Sequence, residues 1–396
     1  MTSGTTEDVR RTNLASILGI LYRGGPSSRT LLSRRTGRNR STIASLVSDL
    51  VALGLVAEHE PESLGQVGRP SPVVAIRPEV TAIAVNPEID MLAIGLVGLD
   101  GTVRRVIRHE YDRIPSAAEA VELTASILAG MQDELDGLLV AGIGVAVPGQ
   151  VRTGDGLVRN APHLDWHDAP FAEPLAAATG YPVLVANDAA LGALAEHEFG
   201  AGRDHENLIY VNGGASGIGA GVITGRTLLG GASGYAGELG HVRVSGSTAV
   251  DSAGIPGTLE AEVTRSELQR VLGLPRPEPG QLEAVLLADR SPAVAEVVVR
   301  QLTHLGTALG AAINLFNPEV IALGGFLAAL HSYHPQALRD SIAASTLAPS
   351  LDGVQITAAA LGADLLMVGA AGLAFGPLLA DPSSDASQQP TSAEPV

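Results

Sequence analysis

Three short runs of this sequence carry the residue types best suited to chemistry. In Gly237-Glu238-Leu239-Gly240-His241 a carboxylate and an imidazole stand three residues apart, so both can converge on one ligand and bond adjacent hydroxyls. The plain alternative is a surface turn with ordinary polar side chains. Asn187-Asp188 follows the apolar run Val183-Leu184-Val185 and precedes Ala189-Ala190-Leu191. That places a carboxylate at the C-terminal end of a strand, where α/β proteins hold ligands and where it can take a proton from a hydroxyl. Read by itself, Asp188 serves more simply as a cap on the following helix. Gly213-Gly214-Ala215-Ser216-Gly217-Ile218-Gly219-Ala220-Gly221 follows Leu208-Ile209-Tyr210-Val211. Its backbone N–H groups can approach a phosphate closely, although a plain hairpin has the same appearance.

A fourth cluster lies near the N-terminus. Arg38-Asn39-Arg40-Ser41-Thr42 opens a helix whose outer face continues through Ser45 and Ser48. Arg can bond guanine, Asn adenine, and Ser or Thr bases or phosphates, when such a helix enters a major groove. A three-helix packing module without DNA would show the same spacing. Residues 1–78 hold ten Arg against six acids, a net +4, while the remainder is −21 within a total of −17. Between Asp8 and Asp49 there are eight Arg and no acid, and the chain has no Lys. Such a split suits a nucleic-acid-facing head on a body that phosphate would repel, or else a solvated basic face.

The elements behind these clusters can be read from periodicity. Leu14, Ile17, Leu18 and Leu21 predict a first helix, ended by Gly24-Gly25-Pro26. Ser27 or Ser28 caps a second through Leu31, Leu32 and Arg35. Thr36-Gly37-Arg38 turns into a third helix with Ile43, Leu46, Val47 and Leu50 inside, stopped by Gly54. These are helix-turn-helix proportions. Leu55–Glu58 and Pro72–Ile76 read as wing strands, joined by a loop with Gly68-Arg69-Pro70, whose Arg69 suits an arm in a narrow minor groove. From about Thr81, short apolar strands (near 94–97, 140–147, 183–185, 208–211 and 320–323) alternate with Ala/Leu-rich helices, which predicts an α/β body with a buried sheet. At 396 residues and 45% hydrophobic content, two or three domains are expected. No apolar run approaches bilayer length, the start MTSGTTEDVRR is unlike a signal peptide, and the absence of Cys excludes disulfides and thiolate metal sites. The cytoplasm is the expected compartment. The Ser/Pro/Gln-rich stretch 381–396 reads as a disordered tail.

Taken together, these residues resemble the bacterial repressors and sugar kinases of the ROK family (repressor, open reading frame, kinase). The resemblance runs from about Arg10 to Phe375 with its landmarks in the family's order. Ser28-Arg29 through Gly54-Leu55-Val56 resembles the winged helix of the repressor branch, of the xylose and N-acetylglucosamine type. Val147-Pro148-Gly149, Ala161-Pro162-His163-Leu164-Asp165-Trp166 and Asn187-Asp188 resemble its sugar-site loops. Gly230 through His241 with Gly257-Thr258-Leu259-Glu260 resembles the family signature, and Asn314-Leu315-Phe316-Asn317-Pro318-Glu319 with Gly324-Gly325 the nucleotide-side lobe. The resemblance implies a two-lobed actin/hexokinase-like (ribonuclease H-like) body behind an N-terminal winged helix-turn-helix. Gly149, Asn187, Asp188, Glu238, His241 and Glu260 would then hold a sugar, with Asp188 at the catalytic-base position.

Two departures from the family carry weight. Its kinases use Asp-x-Gly-Gly-Thr against ATP phosphates, whereas this chain has Asn86-Pro87-Glu88 in that stretch. Pro removes a donor and a carboxylate repels phosphate, so no catalytic residue is expected, although residual kinase activity stays open. The family's zinc cysteines read Asp251, Ala253 and Thr258 here, which leaves His241 and Asp251 against a requirement of four ligands. No cofactor is therefore expected. Asp251 either accepts an N–H from His241 in the metal's place or lies exposed on a mobile loop. The sequence thus predicts a winged helix-turn-helix over 1–78, a sugar-kinase-like effector domain over 79–380 and a tail over 381–396. It further predicts a homodimer, or a dimer of dimers, that binds operator DNA through Ser28, Arg29, Arg34, Arg35, Arg38, Asn39, Arg40, Ser41, Thr42, Ser45 and Arg69. A sugar or sugar phosphate would modulate it. The alternative is a sugar kinase carrying a DNA-binding head.

Overall fold

Helical spacing of apolar residues in the first fifty positions produces α1 (Thr6–Gly24), α2 (Arg29–Thr36) and α3 (Arg40–Ala52) in this computed structural model, which describes residues 6–60, 72–275 and 280–384. Leu14, Ile17, Leu18 and Leu21 of α1 close over Leu32 of α2 and Ile43, Leu46, Val47 and Leu50 of α3. Ser28 caps α2 by accepting the Leu31 N–H at 3.2 Å, and Gly37, in left-handed conformation, ends it. A three-stranded antiparallel sheet covers the bundle in the order β1 (Ser27–Ser28), β3 (Val73–Ile76), β2 (Val56–His59). The loop joining β2 to β3, with Arg69, lies outside the described residues.

The body contains the same sheet twice. In the first half β4 (Val80–Pro87), β5 (Met91–Gly98) and β6 (Val103–Glu110) run antiparallel, followed by α4 (Ala117–Gly130), α5 (Gln132–Leu135) and β7 (Leu139–Val147). A small sheet of β8 (Gln150–Arg152), β9 (Leu157–Ala161) and β10 (Trp166–Ala169) precedes α6 (Ala172–Thr179) and β11 (Val183–Asn187). The order is β11-β7-β4-β5-β6, with β4, β7 and β11 parallel. After α7 (Asp188–Phe199), the second half begins with β12 (Leu208–Gly214), β13 (Gly217–Thr224) and β14 (Thr227–Leu228). Next come α8 (Leu259–Glu262), α9 (Arg265–Leu272), α10 (Gln281–Ala288), α11 (Pro292–Phe316) and β15 (Val320–Gly325). The half closes with α12 (Phe326–Tyr333), α13 (Pro335–Ser345), α14 (Ala348–Leu351) and β16 (Gln355–Ala358). Its sheet is β14-β13-β12-β15-β16, with the pairing directions of the first.

Two helices tie the halves together. Although α7 leaves the first sheet, it packs on β12 and β13, while α15 (Leu365–Ala380) returns from the second half to pack on β4, β7 and α7. The approach is so close that a Cβ at Gly369 would lie 2.5 Å from the Leu191 carbonyl oxygen. The expectation of no bilayer-length apolar run needs correction, because Gly362–Ala380 is long and apolar enough to cross a membrane. Its apolarity has another cause: Leu365, Met367, Val368, Ala370, Ala371, Phe375 and Leu378 are all buried, as befits a core helix.

The expected boundary near residue 78 does not interrupt the packing. One apolar cluster joins Leu14, Ile17 and Leu18 to Ala374, Phe375 and Leu378. Tyr22 meets Phe199 edge-on with centroids 4.9 Å apart, and Arg23 pairs with Glu198 at 2.6 Å. Of the expected tail, residues 385–396 lie outside the described residues.

Candidate functional site

The C-terminal ends of β7, β11 and β12 open onto a cleft between the halves, with about 530 Å³ of open space. All six residues expected to hold a ligand (Gly149, Asn187, Asp188, Glu238, His241 and Glu260) line it, together with Glu88, His163, Asn212, Ser216 and Ser252.

β11 delivers the first pair. Asn187 caps α7 by accepting the Ala190 N–H at 2.9 Å, and its amide donates to the Gly149 carbonyl at 3.0 Å. Asn187 is therefore the cap, and Asp188 is the first helical residue, its Oδ1 accepting the Ala189 N–H at 2.8 Å. Burial, reinforced by the Glu88 charge, pushes the Asp188 pKa up to about 7. Glu88 stands in the β4–β5 turn, and its carboxylate accepts the Ser216 hydroxyl at 2.7 Å across the cleft. Burial raises its pKa as well. Asn86 is spent inside the sheet, donating to the Ala146 carbonyl at 2.9 Å.

The Gly-rich run is a hairpin turn between β12 and β13, with Gly214 opposite Gly217. Gly217 has φ +91°, and a Cβ there would lie 2.1 Å from the Glu260 carboxylate. Glycine thus admits Glu260, which accepts N–H groups of Ile218 (3.1 Å) and Ser252 (3.0 Å). Burial would raise its pKa, but His163 and these N–H groups outweigh that and hold it at about 2. His163 Nε2 is buried, lies 3.8 Å from Glu260 and has no hydrogen-bond partner among the described residues.

Glu238 and His241 bracket a single 3-10 turn, Leu239–His241. His241 Nδ1 lies 2.8 Å from Asp251 Oδ2, and an ionised carboxylate can only accept, so Nδ1 carries the proton. The Asp251 side chain is fully buried, which removes the reading of an exposed residue on a mobile loop. Its Oδ1 accepts the Ala253 and Ile255 N–H groups, both at 2.9 Å, and Oδ2 also accepts the Thr258 hydroxyl at 2.9 Å. With both oxygens doubly engaged and Ala253 and Thr258 at the other positions, these residues do not fit a zinc ion. Among the described residues no group of three or more acids and histidines is placed to hold a metal. Burial lowers the His241 pKa, but Asp251, Glu260 and Glu238 outweigh it and leave the pKa raised.

The expected DNA face divides into engaged and unengaged residues. Arg29 forms a two-point pair with Glu58, and Ser28 is occupied as the α2 cap. Asn39 Oδ1 accepts the Thr42 N–H and the Ser41 hydroxyl, both at 2.8 Å, so α3 begins at Arg40 and not at Arg38. The Asn39 oxygen is thus engaged as a helix cap in this structure, and a two-point adenine contact would use the same oxygen. Ser45 faces Arg10, which pairs with Asp49. Arg34, Arg35, Arg38 and Arg40 are exposed and form no ion pair among the described residues. Ser41 and Thr42 lie beside them. Of the cleft residues outside the expected set, His163 lies in a run already quoted and Glu88 was read only as a broken motif. Ser252 carried no signal.

The ROK family model matches residues 83–376. The xylose repressor of Bacillus subtilis is 26% identical over 358 residues, covering 89% of this chain and 92% of that protein. The glucokinase of Thermotoga maritima is 28% identical over 314 residues, covering 75% of this chain and 98% of its own. Among solved structures, a ROK family transcriptional regulator, homologue of the E. coli MLC protein, shares the fold with a TM-score of 0.77 at 24% identity, covering 94% of this chain and 97% of that one. A ROK family glucokinase from Streptomyces griseus, in complex with glucose and AMPPNP, has a TM-score of 0.62 at 26% identity, covering 74% and 98%. The two-lobed body is thus a sugar-kinase-like α/β fold.

Proposed function

This chain belongs to the ROK family, and on that premise we propose that it is a sugar-responsive DNA-binding repressor of carbohydrate genes, acting in the cytoplasm. The observation that carries the reading is the cluster of Arg34, Arg35, Arg38 and Arg40, exposed and without carboxylate partners among the described residues, at the turn between α2 and α3. In a winged helix-turn-helix this turn faces the groove, with α3 as recognition helix and the β2–β3 connection as wing. Similarity to repressors over nearly the whole chain, and to glucokinases over three-quarters of it, agrees with a body shared by both and a head found in the repressors. Residues 1–78 are the proposed head and 79–380 the effector domain. In the cleft, Gly149, Asn187, Asp188, Glu238, His241 and Glu260 would hold the sugar. Phosphoryl transfer is not proposed, because Asn86 is spent in the sheet and Glu88 occupies the Ser216 hydroxyl.

A sugar can shift operator affinity only by binding the operator-competent and released states differently. A symmetric dimer would read a palindrome with half-sites spaced by whole helical turns. The test is fluorescence anisotropy of the full chain on DNA selected from random duplexes, with and without sugars. Salt-dependent binding that Arg40→Ala weakens by about 1–3 kcal/mol supports the reading, and binding no stronger than to an unrelated acidic protein ends it. A kinase with a DNA-binding head is the second reading, favoured by the Asp188 pKa of about 7, which suits a general base. Turnover of about 1–100 per second in a coupled ATP assay would establish it.

A further inference from the structure

Resting on the reading of the cleft as a sugar site, we propose that it selects an unphosphorylated sugar, and that Glu88 is the residue that rejects the phosphate ester. Among the described residues four carboxylates line the cleft (Glu88, Asp188, Glu238 and Glu260) and no Arg does. Of the two imidazoles on the cleft, His241 commits Nδ1 to Asp251, and His163 stands 3.8 Å from Glu260. Neutral hydroxyls can donate to such a lining, whereas a phosphate offers acceptors and negative charge only.

Glu88 is the acid that takes up the Ser216 hydroxyl. It reaches the cleft from the β4–β5 turn of the first half and takes the hydroxyl of Ser216, the polar side chain of the Gly-rich turn in the second half. The turn that can cradle an anion therefore already holds one supplied by the chain itself. A phosphate arriving there has to displace a covalently tethered carboxylate or sit beside it. Two negative groups about 5 Å apart in a partly buried site repel strongly enough to cost on the order of a hundredfold or more in affinity. Burial above all, with neighbouring acids adding to it, raises the pKa values of Glu88 and Asp188, and a further anion beside them would face the same poor solvation.

The experiment is a thermal-shift titration of the full chain with D-xylose, D-glucose and N-acetyl-D-glucosamine, each beside its terminal phosphate ester. The expected result is stabilisation by at least one parent sugar, with its ester at least about a hundredfold weaker. Glu88→Gln should narrow that gap by tenfold or more, and Glu88→Asp should largely keep it. An ester that binds as tightly as its parent sugar, or a gap unchanged in Glu88→Gln, overturns the assignment to Glu88 while leaving the sugar site standing. Stabilisation by none of the six compounds removes the sugar reading itself and this inference with it. If Glu88→Gln fails to fold, Ser216→Ala serves in its place, because it frees the carboxylate from its tether and should narrow the gap in part.

Discussion

His241 owes its orientation to a carboxylate buried behind it, and that carboxylate organises four donors at once. Removing it in Asp251→Ala strands the imidazole N–H, the Thr258 hydroxyl and two loop N–H groups. A loss of about 2–4 kcal/mol in chemical denaturation is expected, with a weakened sugar response and near-normal operator binding. Unchanged stability and unchanged sugar affinity would contradict the role given to Asp251. Asp188 makes a prediction of opposite sign. Its folded pKa of about 7 lies above the ordinary 3.8, so the native chain keeps a proton that the unfolded chain releases. The stability this confers is complete below about pH 4 and is lost as pH rises through about 7. Asn imitates the protonated form, so Asp188→Asn should gain on the parent as pH rises from 5 to 8, by about 2–4 kcal/mol at the upper end. Glu88 shares the titration, so some pH dependence remains in the variant. Calorimetric Tm values across that range check it, and a constant difference between the two proteins would refute it. That Asn187-Asp188 and Glu238 to His241 lie on the cleft was legible through the family resemblance, since each motif by itself reads equally as a helix cap or a surface turn. Glu88 was read as a broken phosphate motif and His163 only within a loop resembling the family's sugar site, and neither was singled out, because only the closing of distant loops brings Glu88 to Ser216 and His163 to Glu260. Asn39 shows one side-chain type with two uses: the oxygen suited to reading adenine also caps α3.

At the scale of elements, α7 connects the two sites. Its first residue, Asp188, lines the cleft, and its last turn holds Glu198 and Phe199 against Arg23 and Tyr22 of α1. Twelve residues of helix span about 18 Å as one rigid piece, long enough to carry a displacement from sugar to head. Arg23→Ala should therefore leave operator and sugar binding separately near parental while reducing the coupling between them by about 0.5–2 kcal/mol. The ratio of operator Kd with and without sugar measures this, and an unchanged ratio removes α7–α1 contact from the pathway. The crossing of α7 and α15 predicts a plainer effect: Gly369→Val forces a side chain into the Leu191 carbonyl and should cost about 3 kcal/mol or more in unfolding free energy. Helical periodicity announced α1 and α3 because each keeps one apolar stripe, while α2 was placed by its capping serine. β1 was not announced, since two residues have no pattern. α15, apolar nearly all round, reads the same whether its surroundings are lipid or protein.

For the whole molecule, the duplicated sheet was the least legible feature. Its halves share strand order and direction, but the first carries the β8–β10 insertion and the second a long connection from β14 to α8, so no period shows along the chain. The apolar cluster common to α1 and α15 has a consequence in time as well as in space. The head is made well before α15, so a face of the head stays uncovered until α15 emerges. At about 5–20 residues per second, that interval lasts on the order of tens of seconds. Ribosome-arrested chains stopped before Leu365 should bind operator much more weakly than chains arrested on a linker past residue 384. Equal binding by the two would show that the head matures alone. On the proposed reading, a chain built this way would reach its DNA-binding form only after α15 is made.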